Sequence, residues 1–111
     1  MIENSAAEQV QVALGGVWDR SYALMLGRVA TIEGAAAELT AQHPRAELID
    51  AGRADAHKLA GVLGTFGLHR GTELAQTLEG RLKAPGTTAK AIEAEHLAAE
   101  LRSVIERAQA G

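Results

Sequence analysis

The stretch WDRSYALMLGRVATIEGAAAEL, residues 18–39, decides the fold. Its apolar residues Trp18, Tyr22, Met25, Val29, Ile32, Ala36 and Leu39 recur at spacings of 4, 3, 4, 3, 4 and 3. A helix turns once in about 3.6 residues, so this spacing lays one apolar stripe along one face of a long helix. A strand would need alternation with period two, which no useful length of the chain offers. Pro44 closes the helix, because the residue before a proline resists helical geometry.

The same reading extends in both directions. Upstream, Ser5 and Glu8 fit a capping box that opens a short leading helix to about Leu14, which Gly15-Gly16 breaks or bends. Downstream, a second long helix is predicted from about Arg45 to Phe66, with Ile49, Ala56, Leu59, Leu63 and Phe66 inward. Gly67 suits the left-handed position just past its end, with Leu68 folding back onto the last turn. A shorter helix over about Gly71–Lys83 buries Leu74, Leu78 and Leu82. Pro85-Gly86-Thr87-Thr88 is a turn that also supplies a hydroxyl cap for the last helix, whose stripe is Ala94, Leu97, Leu101, Val104 and Ala108. The expected fold is all-α: an antiparallel up-and-down four-helix bundle with a short extra N-terminal helix. One domain over residues 1–111 is expected, free-standing or as a module of a larger protein.

Composition narrows the function. Aromatics are 3% of the chain, so the core must be aliphatic and rich in Ala and Leu. The formal charge of −3 disfavours a nucleic-acid binder driven by phosphate attraction. With no Cys there are no disulfides, no thiol chemistry and no Cys-based zinc site. The longest aliphatic or aromatic run, Tyr22 to Leu26, is far short of a membrane span. Met1-Ile2-Glu3-Asn4 shows no secretion signal, so the expected compartment is the cytoplasm.

Chemistry concentrates in AHKLAGVLGTFG, residues 56–67. At 100° per residue, the core stripe averages roughly 130° away from His57 around the helix axis, so the imidazole points outward. Arg53, Ala54, Ala60 and Gly61 are its neighbours one turn away on the same face, with Gly64 two turns on. Two glycines inside a helix cost about 1 kcal/mol each relative to Ala, yet they clear space for another protein's backbone beside the ring. Arg53 and Lys58, with Lys83 or Arg81 from the next helix, could stabilise negative charge arriving there. An exposed, largely neutral imidazole with cations nearby suits a phosphoryl acceptor, because in-line transfer from an acyl phosphate needs a positioned, accessible nitrogen.

The motif His-x-Leu-x-Gly followed by a large apolar residue and Gly resembles the signature of histidine-containing phosphotransfer (HPt) domains of bacterial phosphorelays. It is met by His57, Leu59, Gly61, Phe66 and Gly67, and residues 68–75 resemble the family's link into the next helix. The resemblance implies an antiparallel four-helix bundle, and phosphorylation of His57 on the ring nitrogen farther from the backbone. It implies receiver domains, and a histidine kinase, as partners, and an isolated monomer. It also implies a carrier rather than an enzyme, with no cofactor of its own: Mg²⁺ would come with the receiver. The family often has Lys or Arg three residues after the histidine, where this chain has Ala60; Lys58, Arg53 or Lys83 would replace that charge. The family's position five after the histidine is often Ser or Ala, and here it is Val62.

Two other classes fit parts of the pattern. Because of Ala60, a phosphorylation-silent adaptor that only docks receiver or kinase domains is the alternative. A carboxylate-bridged metal bundle could use Glu93-x-x-His96, but it needs a second copy of that motif, which the chain lacks. No Gly-rich phosphate loop with a lysine is present. His43 reads as a loop residue, His69 as a turn residue and His96 as a boundary residue of the last helix. Trp18 and Tyr22 read as core, with a docking surface as the lesser reading.

Overall fold

A computed structural model of the chain describes residues 6–110, with side chains from Gly15 onward. Among the described residues the chain is four helices and no strand: α1 (Ala6–Glu38), α2 (Ala46–Thr65), α3 (His69–Lys83) and α4 (Thr88–Ala110). Helix α1 packs on α2 and α4, and α3 packs on the same two, so the helices form a four-cornered bundle. No helix among the described residues is long and apolar enough to cross a membrane.

The predicted stripe of α1 is the heart of the core. Met25, Val29, Ile32 and Ala36 are buried, and Tyr22 and Leu39 pack at the margin. Trp18 is buried too, edge-on to Phe66 with ring centroids 5.0 Å apart, and its indole N–H donates to Gln109. That makes Trp18 a core residue. The expected break at Gly15-Gly16 is absent, so there is no separate leading helix: α1 runs through both glycines. Anchoring of Trp18 just downstream, on Phe66 at the C-cap of α2 and on Gln109 of α4, outweighs their poor helix propensity. The Ser5–Glu8 capping box lies outside the residues whose side chains are described.

The link between α2 and α3 follows the expected C-cap. Gly67 has φ +73°, the Leu68 N–H donates to Leu63 O at 3.0 Å and the Gly67 N–H to Gly64 O at 3.1 Å. This is a Schellman motif, which needs glycine at that one position because a Cβ disfavours positive φ. Helix α3 starts at His69, two residues before the expected Gly71. At α4 the Lys90 N–H donates to the Thr87 hydroxyl, the expected cap.

The buried face of α4 is turned relative to the expected one. Ala91, Ala94, Ala98, Leu101 and Ile105 are buried, while Leu97, Val104 and Ala108 sit at the flank. Alanines inward let helices approach closely, and the larger side chains close the seams. Glu33 holds Arg102 through two hydrogen bonds of 2.7 and 2.9 Å, fastening α1 to α4.

Between α1 and α2, Glu38 accepts from the Arg45 guanidinium and backbone N–H, which hold its carboxyl below the ordinary 4.5. This clasp therefore contributes stability above about pH 4.5 and loses it as pH falls through the lowered value.

Candidate functional site

His57 lies in the middle of α2. Its helix neighbours Ala56, Leu59 and Leu63 are fully buried in the core, which fixes the helix rotation and turns His57 out. The imidazole is 75% exposed. Nδ1 lies 3.0 Å from Glu79 Oε2 of α3. A carboxylate can only accept, so Nδ1 donates in this contact, and in a neutral ring that arrangement leaves the lone pair on Nε2. Among the described residues Nε2 has no hydrogen-bond partner.

A shallow depression of about 340 Å³ surrounds the ring, lined by Arg53, Ala54, His57, Lys58, Glu79 and Lys83. The three cations named from the sequence thus meet at one place, from α2 and from the last turn of α3. None of the three forms an ion pair among the described residues. Arg81 is not part of it: its guanidinium pairs with Glu93 at 3.1 Å and donates to Lys90 O, both on α4.

Two small residues beside His57 behave as expected and one does not. Gly61 and Gly64 are exposed. A Cβ on Gly61 would meet nothing within 4 Å, and one on Gly64 would make only ordinary contact with Thr72 Oγ1 at 3.6 Å. The bundle therefore does not require glycine at either site. Ala60, expected on the His57 face, is instead buried, at 8% exposure. Three residues on, the helix has turned 300°, which places Ala60 under α3, where its carbonyl accepts from the Thr72 hydroxyl at 3.2 Å. The cations of this site therefore come from Arg53, Lys58 and Lys83 around the ring, not from the Ala60 position. His69 and His96 are exposed elsewhere, on α3 and α4.

Glu79 is the functional candidate that sequence reasoning missed, because only the packing of α3 on α2 brings it to the ring.

No curated protein and no solved structure matches the chain. The Hpt domain family matches residues 23–111, a span that takes in α2, α3, α4 and the second half of α1 and includes His57 with its whole surround. With that match over most of its length, the chain belongs to the Hpt domain family.

Proposed function

We propose that this chain is a phosphoryl carrier of a two-component phosphorelay, with His57 as its phosphorylated residue. A phosphotransfer role in two-component signalling follows from the family, whose members are carriers that work with receiver domains and kinases. The single observation that carries the finer reading is the exposed imidazole whose Nδ1 is engaged by Glu79 and whose Nε2 has no partner among the described residues. In the proposed step the Nε2 lone pair attacks phosphorus of a receiver's aspartyl phosphate. The N–P bond forms as the P–O bond to aspartate breaks, and the aspartate leaves as a carboxylate. The ring keeps its Nδ1 proton and becomes cationic, and the Glu79 carboxylate balances that charge. Arg53, Lys58 and Lys83 face the transferring phosphoryl oxygens, and Gly61 and Gly64 leave room for the receiver. Mg²⁺ is supplied by the receiver, and the chain needs no cofactor of its own.

We read the bundle as up-and-down with antiparallel neighbours in one domain. Cross-helix pairs support this: Arg28–Asp55 and Glu38–Arg45 between α1 and the α2 end, Thr72–Ala60 and His57–Glu79 between α2 and α3, Arg70–Glu100 and Arg81–Glu93 between α3 and α4. In each set, moving forward on one helix moves backward on the next. A monomeric, cytoplasmic carrier fits this reading.

The test is incubation with phosphorylated receiver domains. Acid-labile, alkali-stable phosphate should appear on the chain. A complex that forms with no transfer would establish the silent adaptor instead.

Two variants probe the arrangement. Glu79→Ala should slow transfer about tenfold, below the roughly 10²–10⁴ of a positioned acid–base group because solvent screens so exposed a pair. An unchanged rate would remove Glu79 from the mechanism. Gly61→Ala should raise stability by about 1 kcal/mol through helix propensity while slowing transfer, since the added methyl stands where the receiver approaches. A gain in melting temperature with undiminished transfer would show that bare backbone is unnecessary there.

A further inference from the structure

The seam between α2 and α3 keeps one register. A Cβ on Gly64 would touch the Thr72 hydroxyl, and His57 meets Glu79. Seven residues back along α2 is therefore seven forward along α3. Four residues further, about one helical turn, the same register sets Arg53 of α2 opposite Lys83 of α3. The seam thus carries two neighbouring rungs. In the first, His57 and Glu79 pair; in the second, both members are cations. All four side chains line the depression at the imidazole.

A rung of like charge departs from the rest of the bundle. The other seams set a carboxylate against each bridging arginine: Arg28 with Asp55, Arg102 with Glu33, Arg70 with Glu100 and Arg81 with Glu93. Arg53 and Lys83 form no ion pair among the described residues. Two facing cations repel, and an anion placed between them turns that repulsion into attraction to itself. A guanidinium and an ammonium are both phosphate-binding groups.

The reacting ring is inclined toward this rung. Side chains on a helix tilt toward its N-terminus. His57 therefore leans along α2 toward Arg53, and Lys83 leans along α3 back toward Glu79 and the ring. The shape of the depression fits: from His57 its lining runs to Arg53 and Ala54, and of the α2 residues after His57 it takes in Lys58 alone. Lys58 stands roughly 100° round α2 from His57. Ala60, roughly 60° round in the other direction, lies under α3. Lys58 is thus on the flank away from α3 and Glu79.

Resting on the reading of His57 as phosphoacceptor, we infer that Arg53 and Lys83 form a two-helix clamp for a tetrahedral phosphate group, which holds the phosphoryl carried on Nε2. Lys58 contributes only charge from the far flank. The clamp spans α2 and α3 and exists only in the folded chain, so a phosphoryl group held in it also ties the two helices together.

The experiment follows labelling of His57 by two donors, a phosphorylated receiver domain and phosphoramidate. With phosphoramidate the bond from Nε2 to phosphorus forms as the bond from phosphorus to ammonia breaks. This small donor makes no protein interface, so a loss shared by both donors belongs to the phosphoryl group and not to docking. Arg53→Ala and Lys83→Ala should each lose about tenfold in kcat/KM with both donors at low salt. Arg53→Glu, which sets a carboxylate opposite Lys83, should lose at least about a hundredfold while its urea midpoint stays no lower than that of the wild type. Lys58→Ala should lose less than either alanine variant of the clamp. Arg107→Ala, which removes one cation from the last turn of α4, should stay within about twofold of wild type. Phosphorylation should raise the urea midpoint of the wild type and of Lys58→Ala, but not that of Lys83→Ala. Wild-type rates in Arg53→Ala or Lys83→Ala overturn the inference, as does a loss in Lys58→Ala as large as theirs. Losses confined to the receiver donor, or an equal rise in midpoint for wild type and Lys83→Ala, overturn it too. Failure of the wild type to label from either donor is a separate outcome, which ends the carrier reading itself.

Discussion

His57→Gln should reduce phosphate on the chain by more than about a thousandfold, to background, when a phosphorylated receiver is the donor. The glutamine amide has a similar length and polarity, but its nitrogen lone pair is delocalised and cannot displace aspartate from phosphorus. Fold and docking should survive. The imidazole is 75% exposed and makes its one described side-chain contact with Glu79, so its replacement falls among surface substitutions worth within about 0.5 kcal/mol. Circular dichroism and melting temperature should match the wild type. Complex formation with the receiver should persist, because binding rests on the surrounding surface rather than on the reacting nitrogen. The combination is decisive. A variant that labels as strongly as wild type would move the phosphate to another residue, with exposed His69 and His96 as the first to examine. Wild type and variant that both bind and both fail to label would make the chain an adaptor.

Much of this arrangement was legible in the sequence, and what was not has identifiable causes. The stripe from Trp18 to Leu39 could be read because large apolar residues recur there at helical spacing, and it is the core. The outward turn of His57 follows from its angle to Ala56, Leu59 and Leu63 on the same helix, which is local information. The α2 C-cap was readable for the same reason, since only glycine fits the φ of +73° at Gly67. Readings went astray where a contact between helices overrides local preference. Gly15-Gly16 should bend a free helix, but Trp18 is clamped against Phe66 and Gln109 immediately afterwards. In α4, Leu97 and Val104 attracted the inward assignment because they are large. Ala91, Ala98 and Ile105 share the core face with the expected Ala94 and Leu101, while Leu97 and Val104 pack at its flank. Ala60 lies only 60° from His57 around the helix, yet that rotation carries it from open surface to under α3. Glu79 carries no local signal at all. It meets His57 because the two residues lie nearly equal distances on either side of the Gly67-Leu68 turn, a relation visible once α3 is laid antiparallel on α2.

Gly52→Val should destabilise the domain by about 2–3 kcal/mol, or roughly 10 °C in melting temperature. Gly52 is buried in α2, where a Cβ would overlap that of Ala35 on α1 and stand 3.4 Å from both Leu82 Cδ1 and the Thr31 carbonyl oxygen. The obstruction is a β-carbon and backbone, neither of which can swing aside as the end of a long side chain can. Relief requires α1 and α2 to separate along the seam that also holds the Arg28–Asp55 pair. Gly52→Ala meets the same overlap but recovers about 1 kcal/mol of helix propensity, so its net loss is smaller. Gly61→Ala on the same helix carries the identical chemical change with an expected gain, because its methyl meets open space. Opposite signs for one substitution at two positions nine residues apart would separate packing from propensity. The pair Gly52→Ala with Ala35→Gly closes the argument. Removing the Ala35 methyl should restore much of the stability lost at Gly52, with a coupling energy of at least about 1 kcal/mol in a double-mutant cycle. Additive losses would mean that the α1–α2 spacing is not set by backbone approach at Gly52.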